Sequence, residues 1–134
     1  MHITIKNSIS EINFVHKCFT YFAKSKTENE SAIQKLCIVI DEVLTNIITH
    51  GYADQGEHQI DITCEVGDDS LVLTFRDDGV PFNPLEMENL PPNKEVDSAE
   101  LGGLGIHLMK NLVDQIEYER KNDMNWLVIG KNTT

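Results

Sequence analysis

Apolar and polar positions change period several times along this chain, and each change marks an element. From His2 to Asn7, Ile3 and Ile5 alternate with polar neighbours, which predicts a short strand. Ser8 and Glu11 have capping-box spacing. From there to about Lys24, Ile12, Val15, Phe19 and Phe22 recur on one helical stripe, widened by Phe14, Cys18 and Tyr21. A polar connection follows, with Thr27 and Glu30 as a second capping box. The helix it opens runs to about His50. Ile33, Leu36, Cys37, Ile40, Leu44, Ile47 and Ile48 keep the i, i+3, i+4, i+7 spacing, and Gly51 stands where a C′ glycine ends a helix.

From Glu57 the period falls to two. Ile60, Ile62, Cys64 and Val66 alternate with polar residues, Gly67-Asp68-Asp69-Ser70 reads as a turn, and Leu71 to Phe75 returns as a second strand. Residues 79–102 hold all four prolines and little periodicity, and a loop of that length inside a domain is usually functional. Helical spacing resumes at Leu104, Leu108 and Leu112 up to about Asp114. Ile116 and Tyr118, then Met124, Trp126 and Val128, make a last hairpin around Lys121-Asn122-Asp123. The order β, α, α, β, β, loop, α, β, β predicts an α/β (α+β) two-layer sandwich, with a mixed, mainly antiparallel sheet and helices on one face.

With 134 residues, 40% of them hydrophobic and 25% charged, the chain reads as one globular domain over 1–134. The net charge of −11 repels a nucleic-acid backbone and an anionic membrane. An anionic ligand must then be attracted by local devices, such as a helix N-terminus or a bound cation. Cys18, Cys37 and Cys64 each lie in an apolar pattern with no metal-ligand spacing, so they read as reduced core thiols. No signal pattern opens the chain, and no apolar run nears the ~20 residues of a membrane span. The expected location is the cytoplasm.

Three segments carry candidate chemistry. Glu42, Asn46 and His50, at i, i+4 and i+8, form a polar stripe roughly opposite the main apolar stripe of the second helix. Such a stripe often only faces water. Here Val39 and Val43 border it, and Asn46 is a poor mid-helix residue, while Glu42 and Asn46 can offer two oxygens to a hard cation such as Mg²⁺. Arg76-Asp77-Asp78-Gly79 ends a strand: either an ordinary acidic turn, or a carboxylate able to take a hydrogen bond from a base's exocyclic amine while Gly79 lets the ring approach. Leu101-Gly102-Gly103-Leu104-Gly105-Ile106 opens a helix, where clustered glycines and free backbone N–H groups form an anion site. His2, His16 and His58 form no recognisable metal constellation, and His107 reads as packed.

In order and spacing these segments resemble the GHKL (Bergerat-fold) ATPase superfamily, which includes gyrase and the histidine kinases. The run Asp41-Glu42-Val43-Leu44-Thr45-Asn46 through His50-Gly51-Tyr52 is similar to the N box of the anti-sigma-factor serine/threonine kinase branch. Asp77-Asp78-Gly79-Val80-Pro81-Phe82-Asn83-Pro84-Leu85 resembles the first glycine box and Gly102-Gly103-Leu104-Gly105-Ile106-His107-Leu108 the second. The resemblance runs from about residue 30 to 129.

That resemblance implies ATP and Mg²⁺ as cofactors. It makes Glu42 the general base, Asn46 the Mg²⁺ holder, and Asp77 the acceptor of the adenine amine with Gly79 beside it. Gly103 and Gly105 would contact phosphates, with Leu104 and Ile106 in the same helix start. Gly102 would serve a lid over about 84–101, and His50 would either touch the nucleotide or only finish its helix. The implied partners are a sigma factor and an anti-sigma antagonist of the STAS type whose serine or threonine is phosphorylated, with pairing of two copies through the sheet region. Three rival readings remain: an ATP-binding module that only sequesters a partner, a stand-alone sensor histidine kinase ATPase domain, and a non-nucleotide α/β domain whose glycines serve only turns. Pro81 stands where the first box commonly has a second glycine, stiffening the entry to the lid. The late Ser or Thr found near the nucleotide in several superfamily members has Asn125 as its nearest polar candidate.

Overall fold

The structure, a computed structural model, describes residues 1–85 and 109–134. The elements follow the expected order: β1 (His2–Lys6), a 3-10 turn (Ile9–Glu11), α1 (Ile12–Lys24), α2 (Glu30–His50), β2 (Gln59–Gly67), β3 (Ser70–Asp77), β4 (Gln115–Lys121) and β5 (Met124–Asn132). The five strands form one sheet in the order β1-β2-β3-β5-β4, and every described pairing is antiparallel. Residues 109–112 are helical, while most of the helix expected from Leu104 lies outside the described residues.

The sheet buries one face. Ile60, Ile62 and Cys64 on β2, Leu71, Leu73 and Phe75 on β3, and Leu127 and Ile129 on β5 join a single core. The helices contribute Val15, Phe19 and Ala23 from α1 and Leu36, Val39, Ile40, Val43 and Leu44 from α2. Alternation dictates this on the strands, since successive side chains leave opposite faces of a pleated strand. On α2 the buried residues span a wide arc rather than a narrow stripe. At about 100° per residue, Asn46 lies about 80° from Leu36, at the edge of that arc. The Glu42–Asn46–His50 stripe therefore does not oppose the buried face, because Val39 and Val43 extend burial toward it.

Several local expectations are corrected. Phe14 is 52% and Tyr21 84% exposed, so the buried stripe of α1 is narrower than its aromatic content suggested. Ser8 makes no capping bond, and Glu11 closes the 3-10 turn that precedes α1. The cap of α2 is Asn29, not Thr27: Asn29 Oδ1 accepts from Ala32 N–H at 3.0 Å, and its amide donates to Thr133 O at 2.9 Å, tying the helix start to the stretch after β5. Thr27 Oγ1 instead accepts from Asn29 N–H. Gly51 has right-handed dihedrals (φ −80°, ψ −20°), so it is no left-handed C′ residue. On β5 the core-facing set is Asn125, Leu127 and Ile129, not Met124, Trp126 and Val128. Of the three free thiols only Cys64 is buried; Cys18 and Cys37 are half-buried. The β4–β5 turn is as expected: Asn122 and Asp123 both take positive φ, which Asn and Asp tolerate best among non-glycine residues.

Candidate nucleotide-binding site

Strand register builds the site. Across the inner face of the sheet, Cα partners run Cys64–Leu73–Ile129–Ile116 in one row and Ile62–Phe75–Leu127–Tyr118 in the next. The following row is Ile60–Asp77–Asn125–Arg120. The apolar alternation of β3 thus continues into a carboxylate, and β5 sets an amide directly opposite it. Asp77 is 4% and Asn125 6% exposed. Buried polar groups need partners, and these have them. Asp77 Oδ1 accepts from Asn125 Nδ2 at 3.0 Å and from Gly79 N–H at 2.9 Å. Asn125 Nδ2 also donates to Val80 O at 2.9 Å, and its Oδ1 accepts from the Tyr118 hydroxyl. Arg120 donates to Gly79 O at 2.7 Å.

Burial pushes the Asp77 carboxyl above its usual range, with the Asp78 charge in the same direction; the Asn125 and Gly79 hydrogen bonds and Arg120 oppose the rise without cancelling it. Asp77 Oδ2 has no protein donor among the described residues. An ionised carboxylate can only accept, so this oxygen suits a ligand N–H.

Glycine serves here by close approach. A Cβ on Gly79 would sit 2.5 Å from Gly51 O and 2.9 Å from Asp77 Oδ1. Gly51 O in turn accepts from Val80 N–H at 2.7 Å. The end of α2 and the turn after β3 are thus clasped backbone to backbone, where the sequence pattern suggested a glycine kept for ligand approach. Beside this clasp the His58 imidazole lies between two carboxylates. Its Nε2 is 2.9 Å from Asp54 Oδ1 and its Nδ1 3.1 Å from Asp78 Oδ1, while its ring stacks on Tyr52 with centroids 4.4 Å apart. Only an imidazolium can donate from both nitrogens, and the two aspartates accordingly raise the His58 pKa.

These elements enclose a cleft of about 510 Å³, open to solvent. Asp77 and Asn125 form its polar end, Asn46, Ile47 and His50 of α2 one wall, and Met109, Phe82 and Tyr118 its apolar lining. Of the residues singled out in the sequence, Asn46, His50, Asp77 and Asn125 line the cleft, and Gly79 lies next to Asp77. Asn46 is 9% exposed, and its side chain makes no hydrogen bond to any described residue. Glu42 is half-buried one turn earlier and does not line the described part of the cleft. Gly102, Gly103, Leu104, Gly105 and Ile106, with lid residues 86–101, lie outside the described residues. Sequence reasoning missed Tyr118 and Arg120, whose signal was their place on a strand paired with β5, and the His58 clamp, which gives no sequence signal.

The family model of the histidine kinase-like ATPase domain matches residues 9–131. The chain belongs to the histidine kinase-like ATPase domain family. Within it the chain is similar to the anti-sigma F factor of Oceanobacillus iheyensis, 32% identical over 79 residues, covering 59% of this chain and 54% of that protein. The anti-sigma F factor of Bacillus subtilis is 23% identical over 124 residues, covering 92% of this chain and 85% of that one. The serine/threonine-protein kinase BtrW of Bordetella bronchiseptica is 27% identical over 98 residues, covering 73% and 69%. Matches to the Oceanobacillus iheyensis protein and to two Bacillus licheniformis anti-sigma F factors span only 54–59% of those proteins' length. The histidine kinase domain of the Erythrobacter litoralis EL346 blue-light activated histidine kinase superposes with a TM-score of 0.54 at 19% identity, over 77% of this chain and 45% of that one, a likeness of fold. No helix among the described residues is long and apolar enough to cross a membrane.

Proposed function

We propose that this domain binds ATP in the cleft between α2 and the Asp77 end of the sheet, and transfers the γ-phosphoryl group to a serine or threonine of a protein. One observation carries the reading: a buried carboxylate in a largely apolar cleft, with one oxygen saturated by Asn125 and Gly79 and the other given no donor by the described residues. An apolar ring with an exocyclic amine suits such a cleft, the amine donating to the second oxygen.

Asn46, buried at the wall with no side-chain hydrogen bond to a described residue, fits a cation-holding role through its amide oxygen. When bound, Mg²⁺ neutralises charge on the phosphate oxygens. Glu42, one helical turn away, takes the proton of the incoming hydroxyl; the hydroxyl oxygen bonds to the γ-phosphorus, the bond to the bridging β-phosphate oxygen breaks, and ADP leaves. The glycine run 102–105 supplies backbone N–H groups to the phosphates. The net charge of −11 makes such local devices necessary.

Relatives named as anti-sigma F factors and as a serine/threonine-protein kinase support a partner switch, in which the domain binds a sigma factor and phosphorylates a STAS-type antagonist. A second reading is a nucleotide-binding module that only sequesters its partner. The test is transfer from γ-³²P-ATP to a purified STAS-type antagonist. An acid-stable phosphoester on that protein is expected. Bound nucleotide without transfer selects sequestration, and an acid-labile phosphohistidine selects histidine kinase chemistry.

A further inference from the structure

The Asn125 amide is held from three sides. Its Oδ1 accepts from Tyr118, while its Nδ2 donates to Asp77 Oδ1 at 3.0 Å and Val80 O at 2.9 Å. A flipped amide would set its oxygen against a carboxylate and a carbonyl, two acceptors, and those two contacts fix its orientation, while the Tyr118 hydroxyl anchors the oxygen on the far side. With the observed orientation, Asp77 Oδ1 receives two donors, and only Oδ2 remains for a ligand. That edge rewards a ring bearing an amine. A ring carbonyl placed there meets lone pair with lone pair.

We propose that Tyr118 and Asn125 are positioning residues for the base-reading carboxylate, and that the Tyr118 hydroxyl sets how strongly the site prefers a 6-amino purine over a 6-oxo purine. This rests on the nucleotide-binding reading and goes beyond it, because neither residue needs to touch the base. Removing the hydroxyl leaves the Asn125 oxygen without its donor, so the amide is anchored on one side only and its bond to Asp77 Oδ1 loosens. With that donor weakened, Asp77 is driven toward its protonated form, which can donate to a ring carbonyl. Discrimination then falls through loss of preference, not through loss of the pocket.

ATP and ITP are the probes, because their bases differ at position 6 in carrying an amine or a carbonyl. Titration calorimetry on wild type, Tyr118→Phe and Asn125→Asp gives the ratio of the two affinities, with urea unfolding of each protein as the folding control. Asn125→Asp keeps an acceptor for Tyr118 but removes the donor to Asp77, so it tests the chain of contacts even if Tyr118→Phe does not fold. Wild type is expected to prefer ATP, with the ratio falling ~10-fold in each variant, the scale of one buried hydrogen-bond partner. A merely structural role for Tyr118 would weaken both nucleotides equally and leave the ratio unchanged. That result overturns the inference while ATP binding stands. A wild-type protein that binds neither nucleotide overturns the inference and the proposed function together.

Discussion

Replacing Gly79 by Ala tests the clasp that holds the site together. The new Cβ would lie 2.5 Å from Gly51 O and 2.9 Å from Asp77 Oδ1, where an ordinary contact needs 3.4 Å or more. The first neighbour is backbone at the end of a 21-residue helix and cannot rotate aside. The turn after β3 must therefore move by close to an ångström. Forcing atoms into a packed site typically costs about 1–3 kcal/mol. The Val80 N–H···O Gly51 bond, now 2.7 Å, stretches or breaks and adds about 1 kcal/mol. A loss of about 2–4 kcal/mol results. With an unfolding entropy of about 2.1 cal/mol/K per residue over 134 residues, that lowers Tm by roughly 7–14 °C. Calorimetric melting measures it. Gly56→Ala is the control, because its Cβ would meet nothing nearer than Asp54 Oδ2 at 3.4 Å and its φ is not positive. Equal stability of the two variants would refute the close-approach argument.

The remaining predictions concern the proton acceptor and the histidine clamp. Glu42→Gln should abolish phosphate transfer in the labelled-ATP assay while ATP binding persists; unchanged transfer would remove Glu42 from the chemistry. The His58 pKa is raised in the fold by Asp54 and Asp78, and that of Asp54 is lowered, chiefly by the Gly56 N–H and by His58. A raised histidine pKa gives stability that is fully present below about 6.5 and is lost as pH rises through the shifted value. The Asp54 contribution is present above about 3.9 and is lost as pH falls through its lowered value. Urea midpoints of wild type should therefore decline above pH 6.5 relative to those of His58→Gln. Parallel profiles from pH 6 to 9 would show that the clamp contributes nothing.

How legible an element was in the sequence depended on how many of its faces carry apolar residues. On β3 the outer face carries only Val72 among Ser70, Thr74 and Arg76, so Leu71, Leu73 and Phe75 announce that Asp77 points inward, and the alternation picks out the carboxylate. On β5, Trp126 and Val128 compete with Leu127 and Ile129, and only pairing with β3 decides that Asn125 faces Asp77. α1 has the same ambiguity: Phe14 and Tyr21 match the helical period but lie outside the contact with the core. The order of elements was readable because the changes of period are sharp. The His58 clamp was not readable, since its partners sit 4 and 20 residues away and meet only when α2 and β3 end side by side. Gly51 was legible as a necessary glycine, but its backbone shows that the need comes from packing and not from a left-handed turn.

The central claim is that Asp77 reads the base of a bound nucleotide. Titration calorimetry of MgATP on wild type and Asp77→Asn addresses it directly. The asparagine can still accept from Asn125 and Gly79 through its oxygen, but its NH₂ then faces the cleft, donor against donor. Because burial disfavours the ionised carboxyl, the neutral side chain should leave the apo protein at least as stable as wild type. Wild type is predicted to bind one MgATP, and the variant to bind it about 10- to 100-fold more weakly with no loss of apo Tm. Equal affinity in the two proteins would contradict the account and place the nucleotide, if one binds, elsewhere.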